Sequence, residues 1–143
     1  IINKVKIINF FFRKILKKKP NFAILGLNPH NFSPLKNSEE KKIIVKIIKN
    51  LIKSKIKAKG PITPDTSFMI FKKSKFDVII GMYHDQVLTP FKALFNFNAI
   101  NVTLGLPYIR TSPDHGVATD ITGKKSANPK SLIESIKFFN LIK

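Results

Sequence analysis

Phe76-Asp77-Val78-Ile79-Ile80-Gly81-Met82-Tyr83-His84-Asp85-Gln86 decides the reading of the fold. Its first half is a short, mainly apolar run of the kind buried inside a parallel sheet. Its second half breaks off into an imidazole, a carboxylate and a carboxamide. Strands of α/β proteins deliver ligand-binding groups at their carboxyl ends, where a rigid sheet holds side chains that a loop alone would leave mobile. His84 and Asp85 are therefore the expected chemical centre, and the competing reading is a polar turn after a buried strand.

Upstream, Phe22-Ala23-Ile24-Leu25-Gly26-Leu27 repeats the design and ends on Asn28-Pro29-His30. It follows an amphipathic stretch, Ile1 to Lys18, with Val5, Ile8, Phe12 and Ile15 at helical spacing and Pro20 as a stop. After a loop over Asn31 to Asn37, Ser38 with Glu39 and Glu40 makes a helix start, and the spacing predicts a helix to about Lys53. In it Ile44, Ile47, Ile48 and Leu51 face inward and Lys42, Lys46, Lys49 and Lys53 face water. Lys55 to Lys59 reads as a short strand or connection. Gly60-Pro61 and Pro64-Asp65-Thr66 form a rigid loop holding Asp65, whose plainer role is to cap a helix over Phe68 to Phe71.

Downstream, a turn and a short helical piece carry Lys92, and Ala99 to Leu104 is a strand with Asn101 inside it, where a buried amide needs partners. Gly105 to Gly116 reads as irregular and keeps Arg110, Asp114 and His115 together. Asn128-Pro129 starts a last helix that runs to near Ile142. The order predicts one α/β unit over 1–143, an α/β/α sandwich with its site at the strand ends.

The chain has no cysteine, which excludes disulfides and thiolate metal sites and leaves His30, His84 and His115 with the carboxylates as ligands for a divalent ion. Its net charge of +18 comes from 26 basic against 8 acidic residues, with arginine only at Arg13 and Arg110. Lysine excess beside heavy use of Ile, Asn and Phe fits compositional drift in an A+T-rich genome. Nucleic-acid readers favour arginine forks, so no specific nucleic-acid partner is expected. No apolar run approaches the roughly 18 residues a membrane span needs, so no membrane partner and a cytoplasmic location are expected. The chain opens on Ile1 in an amphipathic run, and a fragment of something longer is expected.

His30 and His84 each follow a buried strand, which would bring two imidazoles to one sheet edge near Asp85, a set suited to a divalent metal. Lys92, Asn101 and Arg110 supply donors suited to carboxylate or phosphate oxygens, and Arg110 can grip such a group bidentately.

Leu27-Asn-Pro-His30, Gly60-Pro61 with Pro64-Asp65-Thr66, Met82-Tyr-His-Asp-Gln86 and Asn101-Val-Thr-Leu-Gly-Leu-Pro-Tyr-Ile-Arg-Thr-Ser-Pro-Asp-His-Gly116 resemble, in order, the carboxyl-terminal half of the 4-hydroxythreonine-4-phosphate dehydrogenase family of pyridoxal phosphate (vitamin B6) biosynthesis. The resemblance implies an isopropylmalate-dehydrogenase-like fold, incomplete because the amino-terminal half is missing. It implies His30 and His84 as two of three metal-binding histidines, the third lying in that half. Zinc, magnesium or cobalt would each suit them. Lys92, Asn101 and Arg110 match substrate-contacting positions, for a small phosphorylated hydroxy amino acid. Asp85 and Asp65 are the carboxylates for proton handling or for orienting the site, with their roles unassigned. The family acts as a homodimer, so a second copy or a complementary amino-terminal half is the expected protein partner.

His115-Gly-Val-Ala-Thr-Asp-Ile-Thr-Gly-Lys-Lys-Ser-Ala-Asn-Pro129 is similar to the adenosine-side NAD loop of the isocitrate and isopropylmalate dehydrogenases. That implies cofactor contacts at His115, Gly116, Ala118, Asp120 and Asn128, with no Gly-x-Gly-x-x-Gly fingerprint. The activity implied is NAD-dependent, metal-assisted oxidation and decarboxylation of 4-phosphohydroxy-L-threonine, with little or none from residues 1–143 alone. One departure from the family is the glycine-free run 31–37, where a glycine-rich loop is usual. The competing reading is a decayed dehydrogenase scaffold whose lysine surface binds RNA or membrane.

Overall fold

Three parallel strands carry the first part of the molecule. The structure, a computed structural model, describes residues 1–31 and 37–142, and of residue 72 the backbone alone. Most of the loop expected over Asn31 to Asn37, with its glycine-free departure from the family, lies outside the described residues. The elements are α1 (Ile2–Lys14), β1 (Asn21–Leu25), a π-helical turn (Glu40–Ile44) leading into α2 (Val45–Lys53), β2 (Lys57–Ile62), α3 (Pro64–Ser67), β3 (Val78–Ile80), α4 (His84–Phe95), β4 (Ile100–Thr103), β5 (Arg110–Pro113) and α5 (Lys130–Leu141). The backbone groups into two compact units, Ile1–Phe91 and Lys92–Lys143, where a single unit was expected.

In the first unit β1 lies between β2 and β3 and pairs with both in parallel, with Phe22, Ala23 and Ile24 opposite Val78, Ile79 and Ile80. Phe22 to Leu25 are buried, as a central strand requires. Val5 of α1, Phe22 and Ile24 of β1, and Ile44, Ile48 and Leu51 of the second helical stretch form one core with Ile56. The predicted lysines of α2 are exposed opposite them. Ser38 Oγ accepts from the Lys41 amide at 3.4 Å, close to its expected capping role.

α1 ends four residues before the expected Lys18. Lys17 takes a left-handed φ of 54° and Lys18 leaves the helix to pair with Asp77, whose other oxygen accepts the Asn21 amide at 2.9 Å. Burial pushes the Asp77 carboxyl up, but the Lys18 and Asn21 bonds outweigh it and hold the group below its ordinary value. This contact fixes the amino ends of β1 and β3 together, and the parallel pairing of all three strands puts their following turns at the opposite, carboxyl end.

In the second unit β4 and β5 pair antiparallel, and α5 packs on them. The expectation of irregular chain over Gly105 to Gly116 is corrected: Arg110 to Pro113 is a strand. Its sequence lacks apolar alternation and is flanked by Pro107 and Pro113, so it carries no strand signal, yet pairing with β4 alone leaves room for proline at its end. α4 is likewise a continuous helix from His84 with Pro90 inside, where a turn and a shorter helical piece were expected.

Candidate metal and cofactor site

Each of the three parallel strands is followed by a turn that carries a predicted site residue. His30 follows β1, Asp65 follows β2 at the start of α3, and His84 with Asp85 follows β3 at the start of α4. The structure joins them in pairs. His30 Nδ1 lies 2.9 Å from Asp65 Oδ2, and His84 Nδ1 lies 2.7 Å from Asp85 Oδ1. Asp65 is not the cap of a helix over Phe68 to Phe71: it sits in the first turn of α3 and is engaged with His30.

The turn after β1 is fixed by Asn28 of its own motif and by Glu40, which the sequence marked only as part of a helix start. Glu40 is buried, and its Oε1 accepts from the amides of Leu27 at 3.1 Å and Asn28 at 2.8 Å. The Asn28 amide is the main influence holding the Glu40 carboxyl below its ordinary range, against the opposing push of burial. Asn28 Oδ1 in turn accepts from the His30 amide at 2.9 Å, an Asx turn that aims the histidine. The π-helical turn that begins at Glu40 widens the helix where this carboxylate reaches back.

These residues fit a divalent ion in one specific respect. Each imidazole has a carboxylate on Nδ1, the arrangement that fixes the tautomer of metal-binding histidines and leaves Nε2 to the metal. Both rings are about three-quarters exposed, and neither Nε2 has a hydrogen-bond partner among the described residues. Only two of the three histidines, His30 and His84, lie at these strand ends, and no group of three or more ligating side chains is gathered among the described residues.

In the second unit Asn101 pairs with Ser112 and Thr103 with Arg110. Residues directly opposite in an antiparallel pair, and those two apart on a strand, share a face. Asn101 and Arg110 therefore lie on one side of the hairpin, and both are exposed, so the amide expected to be buried is open to a ligand. Arg110 Nη1 donates to Thr103 Oγ1 at 3.2 Å. Lys92 lies 3.5 Å from Asp114, whose other carboxylate oxygen is buried without a partner among the described residues.

The stretch from His115 to Asn128 is exposed apart from a half-buried Ile121. A Cβ placed on Gly116 would meet open space, so its absence serves no internal contact. Ala118 takes a left-handed conformation (φ 49°, ψ 47°) before a single turn over Thr119–Ile121 that holds Asp120. His115 Nδ1 donates to the Gly116 carbonyl at 3.0 Å. Asn128 Oδ1 accepts from the Lys130 amide at 3.0 Å and so starts α5, leaving its Nδ2 as the donor available for a ligand. A cavity of about 720 Å³ lies at the other end of the parallel sheet, lined by Phe22, Ile56, Ala58 and Phe76 with five lysines, and no candidate site residue reaches it.

Fold and site together define an α/β protein that presents histidine–carboxylate pairs at the carboxyl ends of parallel strands. The chain belongs to the family described as pyridoxal phosphate biosynthetic protein PdxA, whose model matches residues 1–139. It is 47% identical to a 4-hydroxythreonine-4-phosphate dehydrogenase of a Sulfurihydrogenibium species over the whole chain and 44% of that relative, and 42% identical to one of Aquifex aeolicus over 96% of the chain and 42% of that relative. Solved 4-hydroxythreonine-4-phosphate dehydrogenases from Klebsiella pneumoniae (29% identity, TM-score 0.80) and Burkholderia phymatum (31%, 0.76) each superpose on 99% of this chain, using 43% of their own length. The α/β, isopropylmalate-dehydrogenase-like fold class stands. The chain spans less than half the length of these curated relatives. No described helix is long and apolar enough to cross a membrane.

Proposed function

We propose that this chain is the carboxyl-terminal part of an enzyme that oxidises and decarboxylates 4-phosphohydroxy-L-threonine with NAD and a divalent metal, and that it works with a second copy or with a complementary amino-terminal half. The observation that carries the proposal is the pairing of His30 with Asp65 and of His84 with Asp85 at the ends of adjacent parallel strands. A divalent ion bound there would acidify a secondary alcohol and stabilise negative charge developing on the substrate, while NAD would accept the hydride.

The chain's own residues supply binding and orientation. Asp65 and Asp85 accept from Nδ1 of the two histidines, which fixes the tautomer of the neutral rings and leaves the Nε2 lone pair for a metal. Arg110 and Asn101, on one face of the hairpin, offer a guanidinium fork and an amide to phosphate or carboxylate oxygens. Lys92 adds a cation that Asp114 holds in place. The loop from His115 to Asn128 receives the nucleotide through Gly116, Asp120 and the Asn128 amide.

The test uses the 143-residue chain with zinc and NAD added separately, followed through the imidazole and amide NMR signals. Zinc is expected to move the His30 and His84 rings together and to leave His115 in place. NAD is expected to move residues 115–128. Failure of both responses overturns the reading.

A further inference from the structure

We propose that Gln86 is a positioning residue that couples the two histidine-bearing turns, so that His30 and His84 are held in one arrangement by a single carboxamide. The inference rests on the metal reading above. Gln86 is buried in the first turn of α4. Its Oε1 accepts from the Met82 amide at 2.7 Å, two residues before His84. Its Nε2 donates to the Gly26 carbonyl at 2.8 Å, four residues before His30. The partners fix the orientation of the side chain, since an amide hydrogen needs the oxygen and a carbonyl needs the NH2 group.

The same Gly26 residue extends the connection to the third turn. Its amide donates to the Ile62 carbonyl at 2.9 Å, at the end of β2, and β2 leads into Asp65. One line of hydrogen bonds therefore runs from the β2 exit through Gly26 and Gln86 to the β3 exit, crossing all three strand ends. Gly81 leaves room for the neighbouring Val87 side chain: a Cβ there would stand 2.7 Å from Val87 Cγ1, and at 3.4 Å would only touch Gln86 Oε1. Glutamate lacks the donor, lysine lacks the acceptor, and asparagine is one methylene shorter. Methionine has the volume of glutamine and neither function.

Gln86→Met and Gln86→Glu separate this coupling from a general contribution to folding. In Gln86→Met, amide exchange at Met82 and at His30 is expected to rise about tenfold, the loss of one hydrogen bond at each turn, while Ile48 in the core changes little. Gln86→Glu keeps an acceptor for Met82 and loses the donor to Gly26, so the His30 turn alone should loosen. Equal acceleration at Ile48 and both turns, or an unchanged His30 turn in both variants, overturns the proposal. Should neither variant fold, the wild-type chain decides, because slow exchange of the Gln86 side-chain NH2 protons is expected and solvent-like exchange overturns it. Zinc titration separates the two readings. If zinc moves neither ring while the exchange pattern holds, the coupling stands and the metal reading falls. If zinc moves both rings and Gln86→Met leaves His30 untouched, the coupling falls and the metal reading stands.

Discussion

His30 and Asp65 stand 35 positions apart on turns that follow two different strands, yet Nδ1 of the one lies 2.9 Å from Oδ2 of the other. The carboxylate thereby orients a ring whose own turn is already fixed by Asn28 and Glu40. Asp65→Asn is expected to weaken zinc binding about 10- to 100-fold, as loss of such a partner does elsewhere. Competition with a chromophoric chelator measures it, and an unchanged affinity would show that Asp65 does not orient the ligand.

His84 and Asp85 are sequence neighbours, and both side chains are more than three-quarters exposed. An exposed pair contributes roughly 0 to 1 kcal/mol. Asp85→Asn should therefore leave the melting midpoint within about 4 °C of wild type while still reducing the response of the His84 ring to zinc. A large loss of thermal stability would contradict this account.

Glu40 links stability to pH. Its carboxyl is held below the ordinary glutamate value in the folded chain, so its stabilisation is complete above the unfolded value of about 4.3 and is lost as pH falls through the lower folded value. Glu40→Ala leaves the Leu27 and Asn28 amides without their acceptor and should cost about 2 to 3 kcal/mol at neutral pH. Urea unfolding at neutral pH and in acid should show the gap between wild type and variant closing as the solution is acidified.

Asn128 has two separable functions. Asn128→Asp keeps an oxygen for the Lys130 amide, and aspartate caps as well as asparagine. It removes the Nδ2 donor. The variant is expected to retain the helicity of α5 by circular dichroism and to lose NAD binding by calorimetry. Undiminished NAD binding would remove Asn128 from the cofactor contacts.

Ser131 is fully buried; its hydroxyl donates to the Ala99 carbonyl and accepts from the Asp114 amide at 2.9 Å. Ser131→Ala should cost about 1 to 2 kcal/mol, read as faster amide exchange at Asp114 with the first unit's core amides unaffected.

What the sequence made legible was local. The apolar run before His84, the inward face of α2 and the local bonds that Ser38 and Asn128 make just before their helices are each written within a few residues, so periodicity and turn chemistry reveal them. The contacts that organise the site span long separations: Gln86 to Gly26 is 60 positions and His30 to Asp65 is 35. No spacing rule encodes them. Gln86 was visible within its motif, but its partners are backbone atoms, which leave no trace in side-chain identity. β5 escaped for a different reason, since Thr111-Ser112-Pro113 offers no apolar alternation and its strand exists only through pairing with β4.

The three-stranded sheet has one further consequence, which concerns its two outer strands. β2 carries Lys57 and Lys59 exposed and has Pro61, which offers no N–H, so charge and a missing donor discourage another strand from adding there. β3 on the other side is Val78-Ile79-Ile80, half-buried and uncharged along its length. Of the two outer strands of this sheet, β2 is thus the poorer acceptor of an added strand, and the lysines scattered by composition serve there as gatekeepers.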